Sequence, residues 1–127
     1  MTKLTRRAIL AGAASLIAAP ALAQSGYPGS KVVTIVVPFS AGGPTDRVAR
    51  DLAEAMRKPL GGVSVLVDNA AGAGGSIGAN KVAKAAPDGY TLLLHHIGMG
   101  TMPTLVRNIP FKVESDFEYL GMVNDVP

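Results

Sequence analysis

A β-branched run, Val32 to Val37, ends at Pro38 and leads through a Gly42-Gly43 corner into Pro44-Thr45-Asp46. Such an uninterrupted apolar run suits a strand buried on both faces. Proline is at home at a first helical position, and Thr45 or Asp46 beside it completes a helix start. The order is therefore strand, glycine corner, helix N-terminus. That geometry leaves backbone N–H groups unpaired at the positive end of a helix dipole, where an anion can be held without a charged side chain. Two readings meet at this corner. A tight connection capped by Thr45 or Asp46 explains it without any ligand. A carboxylate site explains in addition why two glycines clear side chains from the backbone. We favour the second, with the Thr45 hydroxyl donating to the carboxylate and Asp46, whose charge repels an anion, acting as a cap.

The rest of the chain repeats this alternation. A helix is predicted over residues 44–58, with Val48, Leu52 and Met56 in one apolar stripe and Pro59 as its stop. Strand two is expected over Val63–Val67, helix two over 75–86, strand three over Tyr90–Leu94 and strand four over Phe117–Val123. Residues 102–115 read as irregular or briefly helical, broken by Pro103 and Pro110. Strands alternating with helices at this spacing form βαβ units, hence α/β architecture: a mostly parallel sheet with helices on both faces. Ligands of such sheets lie beyond the carboxyl ends of the strands. The glycine-bearing exit loops, at 39–43, 68–76 and 95–101, all fall at that edge.

The second loop, Gly72-Ala73-Gly74-Gly75-Ser76-Ile77-Gly78, fails the dinucleotide pattern because Ile77 stands where the third glycine is required. No Gly-Lys-Ser/Thr triplet provides a P-loop. Gly75 and Ser76 are better read as close packing plus a second edge of donors. His95 and His96 are the two histidines, and cysteine is absent, so no cofactor or metal is expected. If strand three continued through them, the two rings would point to opposite faces and could not share one ion. One of them is expected to line the cleft, and we take His96. No nucleophile–base arrangement can be argued from spacing, so catalysis is not expected; an exported hydrolase-like α/β enzyme is the alternative.

The first residues belong to another function. Lys3, Arg6 and Arg7 precede the apolar run Ala8–Ala19, and Ala21-Leu22-Ala23 has the small-x-small form of a cleavage site. That run is shorter than the roughly 20 residues needed to span a bilayer. Residues 1–23 are expected to be an export signal cleaved near Ala23, by the twin-arginine or the general route. Those three basic residues account for the whole excess of 12 Lys+Arg over 9 Asp+Glu. The remaining chain is neutral, which excludes a basic nucleic-acid-binding face. The expected compartment is a bacterial periplasm. The strand-like end after Phe117 carries no closing helix, so residues 24–127 are expected to be the beginning of a longer protein.

Several motifs in order resemble one family: Tyr27-Pro28, Ile35-Val36-Val37-Pro38-Phe39, Gly42-Gly43-Pro44-Thr45-Asp46, Asp68-Asn69, residues 72–79 and residues 84–93. They look like the extracytoplasmic solute-binding receptors of tripartite tricarboxylate transporters, the Bug-type receptors. The resemblance implies a two-lobed clamshell of the type II periplasmic binding protein kind, acting as a monomer and closing on a small carboxylate. It also implies delivery of that ligand to membrane permease subunits. In the family the carboxylate is held by backbone and hydroxyl donors and ordered waters at the first exit loop. Carried over, the binding positions are Phe39, Ser40, Ala41, Gly42, Gly43 and Thr45, with Gly75, Ser76 and His96 as neighbours. Ser76 stands where many relatives have asparagine, and Ser40 where alanine or proline is usual, so ligand identity does not transfer. Family members are also considerably longer than 127 residues, so the resemblance implies one part of one lobe.

Overall fold

The computed structural model describes residues 26–124. The expected export signal lies outside them. Strand β1 (Val33–Val37) is followed by helix α1 (Pro44–Arg57), strand β2 (Val65–Asn69), a 3-10 turn (Ala73–Gly75), helix α2 (Ser76–Ala83), strand β3 (Thr91–Leu93) and helix α3 (Gly98–Leu105). The three strands form one parallel sheet in the order β2-β1-β3. The α/β alternation read from the sequence therefore holds.

Period-two alternation divides the apolar residues between two cores. Ile35 and Val37 of β1 pack on Ala49 and Ala53 of α1, joined by Leu92 and Leu94. Leu93, pointing the other way, joins Ala79 of α2, Met99 and Met102 of α3, and Phe111 and Val113. The two helices thus cover opposite faces, and β1 between them is the most deeply buried strand. The lead-in is tied to the turn before β3. Tyr27 donates its hydroxyl to the Gly89 carbonyl at 2.7 Å, and Tyr90 donates to the Pro28 carbonyl at 2.9 Å.

Three expectations need correction. Strand β2 begins and ends two residues later than its apolar run suggested. Asn69 is drawn into the ladder opposite Val37 because its side-chain amide donates to the Phe39 carbonyl (3.2 Å) and to Asp46 (2.9 Å). Residues 98–101, read as loop, begin helix α3, which continues past Pro103. Met99 and Met102, one turn apart, bury into the second core, and that burial outweighs weak local propensity. Finally, Phe117–Val123 forms no strand among the described residues. The Phe117 ring instead meets Phe111 edge to face at 5.6 Å, and Tyr119 donates to the Val113 carbonyl at 2.9 Å. The segment is held against the second core by side chains, leaving Leu120 and Met122 exposed.

Candidate functional site

In this strand order β1 connects to β2 over one face, and β2 connects to β3 over the other. The carboxyl ends of β1 and β3 therefore flank a switch point, where a crevice opens in sheets of this kind. A pocket of ≈ 550 Å³ lies there, lined by Phe39, Ser40, Gly43, Pro44, Thr45 and His96. Five of the nine positions named from the sequence are thus brought together, and Pro44 joins them. Ala41 and Gly42 belong to the same loop without lining the pocket. Gly75 sits behind it: a Cβ there would stand 3.0 Å from His95 Nε2 and 3.4 Å from the Phe39 ring. Ser76 is buried at the start of α2.

The N–H groups of the corner are not all available. Gly42 donates to Asp46 Oδ2 at 2.8 Å, and Gly43 makes a long bond of 3.4 Å to the Ser40 carbonyl. The amides of Ala41 and Thr45 donate to no protein acceptor among the described residues, and Gly43 caps α1 without a side-chain bond. These two amides and that of Asp46 are unpaired among the described residues, and those of Thr45 and Asp46 stand at the positive end of a 14-residue helix.

Asp46, read as a cap, reaches back from the first turn in the manner of a capping box. Its role extends further. It is 2% exposed and accepts from Arg50 Nε (2.9 Å) and Nη2 (3.1 Å) as well as from Gly42 and Asn69. The Arg50 bonds first, then those of Gly42 and Asn69, hold its carboxyl well below the usual carboxylate range. The ion pair and amides screen this negative charge beneath the pocket and lock the corner to β2. The sequence named Asp68-Asn69 as a motif without assigning this bracing role. Its only cue was a polar Asp-Asn pair continuing an apolar strand run.

The two histidines behave differently from the strand argument. Hydrogen bonding to β1 reaches Leu94 and then stops, so the rings are free to turn toward the same neighbour. His96 stacks on Phe39 at 4.5 Å and 15°, while His95 meets the same ring edge-on at 5.1 Å. His95 Nδ1 lies 2.9 Å from the His96 carbonyl, and its Nε2 is buried without a partner among the described residues. Burial pushes the His95 pKa down. His96 Nδ1 accepts the Gly98 N–H at 2.9 Å.

A second cavity, ≈ 330 Å³, lies between α1 and β2, lined by Arg50, Ala53, Glu54, Arg57 and Val65–Val67. Both arginines there are committed, Arg50 to Asp46 and Arg57 to Glu54 at 3.1 Å. It offers an anion no free positive charge. Among the described residues no three His, Asp or Glu side chains cluster as metal ligands, and no helix is long and apolar enough to cross a membrane.

Comparison with known proteins identifies the family. Residues 48–127 match the family model described as the tripartite tricarboxylate transporter family receptor. The UPF0065 protein in the TAR-I ttuE-ttuC' intergenic region of Agrobacterium vitis is 54% identical over 84% of this chain and 30% of its own length. Protein BugT of Bordetella pertussis is 45% identical over 87% of this chain and 34% of its own. Among solved structures, the periplasmic binding protein BugD is 54% identical with a TM-score of 0.66, over 68% of this chain and 29% of that one. MatC from Rhodopseudomonas palustris with bound malate is 44% identical (TM-score 0.64; 68% and 29%), and an R. palustris protein with adipate is 37% identical (0.64; 69% and 29%). The chain spans about a third of the length of the curated relatives it matches. With its parallel α/β core and these matches, the chain belongs to the tripartite tricarboxylate transporter receptor family.

Proposed function

We propose that the chain is the N-terminal part of a periplasmic receptor that captures a small carboxylate and hands it to the membrane permease subunits of a tripartite transporter. Residues 1–23 act as its export signal, and residues 24–127 form part of one lobe of a monomeric clamshell. The observation that carries this reading is the pocket at the β1/β3 crevice, lined by Thr45, whose amide is unpaired at the start of α1. A carboxylate there gains the Thr45 backbone donor and a helix dipole. Ser40 and Thr45 add hydroxyls, His96 adds a ring donor, and Phe39 supplies an apolar wall. Gly75 and Ser76 support the wall from behind. The malate and adipate of the two R. palustris relatives support the carboxylate class. Capture is binding without catalysis, completed when a second lobe closes and expels water.

A thermal-shift screen of the complete protein against malate, adipate, tricarboxylates, aromatic acids and amino acids tests this. A ligand at 100 times its Kd stabilises the folded state by about 2.7 kcal/mol. A clear rise in Tm with at least one carboxylate is expected, and no rise with any anion refutes the reading.

A further inference from the structure

Adjacent histidines ordinarily leave four ring nitrogens whose protonation must be guessed. Here the backbone partners decide it. The His96 carbonyl can only accept, so His95 Nδ1, 2.9 Å away, must carry the proton. The Gly98 amide can only donate, so His96 Nδ1, 2.9 Å away, must present a lone pair, and the His96 proton sits on Nε2. The two rings hold opposite tautomers. The spare nitrogen of His95 is buried between Gly75 and Phe39, whereas His96 is exposed and lines the pocket.

Two glycines make room for the pair. A Cβ on Gly75 would meet His95 Nε2 at 3.0 Å, at a φ of +96° that L side chains rarely adopt. A Cβ on Gly98 would stand 2.5 Å from His96 Cε1 and 2.9 Å from its Nδ1. Each glycine seats one ring, and Phe39 lies against both.

We propose that His95 is a positioning residue that, with Gly98, holds His96 as a fixed-tautomer donor whose free Nε2–H reads an acceptor oxygen of the bound ligand. This deepens the carboxylate reading and rests on it for the identity of that oxygen. The His95 bond fixes the main chain of His96, the Gly98 bond fixes its ring proton, and the Phe39 stack fixes its plane. A donor held in one tautomer selects an oxygen acceptor and rejects a ligand ammonium at that position.

The first test needs no ligand. Long-range ¹H–¹⁵N NMR of the complete protein carrying ¹⁵N-histidine, near neutral pH, is expected to show Nδ1–H at His95 and Nε2–H at His96. An Nδ1–H tautomer at His96 overturns the proposal. The second test measures malate and adipate affinity by calorimetry. His95→Asn places an amide N–H where Nδ1–H was and is expected to keep affinity within about threefold, whereas His95→Leu loses about tenfold. Gly98→Ala, which displaces the His96 ring, is expected to weaken binding similarly. Equal losses in His95→Asn and His95→Leu overturn the positioning role. If the unaltered protein binds neither probe, the same variants are measured with whichever carboxylate the thermal-shift screen finds; if none binds, the carboxylate reading fails, and the tautomers still decide the histidine arrangement.

Discussion

Gly78 is the point where two opposing effects of one methyl group can be weighed. It lies inside α2, on the face that meets the end of β1, just before the site loop. Replacing an interior helical glycine by alanine ordinarily stabilises by about 1 kcal/mol. Here the added Cβ would stand 2.7 Å from Pro38 Cβ and 2.9 Å from both Pro38 Cα and the Ala70 carbonyl oxygen. None of these can rotate away, since they are backbone or a proline ring. Overpacking of a rigid contact costs about 1–3 kcal/mol, and three contacts this close belong at the upper end. The net for Gly78→Ala is a loss of about 2 kcal/mol, which in the longer complete protein lowers Tm by about 5 °C. Gly100→Ala is the control. It is the same exchange within helix α3, where a Cβ meets nothing within 4 Å, so a gain of about 1 kcal/mol is expected. Thermal and urea unfolding followed by far-UV circular dichroism reads both. If Gly78→Ala stabilises as Gly100→Ala does, helix and strand do not approach as described and the packing argument is wrong.

Met102, 2% exposed at the centre of the second core, should on truncation to alanine lower the unfolding free energy by about 2–5 kcal/mol in urea. His96→Phe keeps an aromatic ring for the Phe39 stack but removes the donor, so carboxylate affinity should fall about tenfold or more by calorimetry, with Tm little changed. Asp46 has a folded-state pKa below its ordinary 3.8, so the stability it supplies is complete above that pH and is lost as pH falls toward the lower value. Asp46→Asn should therefore be less stable at neutral pH and show a shallower acid decline in urea midpoint. His95 is also lowered, from an ordinary 6.5, by burial of its neutral ring. Its contribution is full above that pH and declines as pH drops through the lowered value; a urea-midpoint profile from about pH 7.5 to 5 should flatten in His95→Asn.

Local sequence was enough for the parallel α/β plan and for the glycine corner beside which the candidate pocket lies. A β-branched run, a proline stop, paired glycines and Pro44 each act on their own neighbours, and their order leaves one way to build strand, corner and helix. The edge that gathers the exit loops follows from that plan. What failed were features set by partners far along the chain. Asn69 extends β2 because Phe39 and Asp46 accept and hold its side chain. Glycine- and proline-bearing residues 98–105 become helix because two methionines find a core there. The apolar run after Phe117 finds no neighbouring strand among the described residues and is held by Phe111 and Val113 instead. The histidine pair shows the division most sharply. The sequence offered two adjacent rings and a period-two rule that sent them apart, but hydrogen bonding to β1 stops at Leu94, and Gly75 and Gly98 clear space for both beside Phe39. Propensity and pattern act over a few residues, whereas register, tautomer and free amides depend on which distant groups arrive opposite, and only the packed chain decides that.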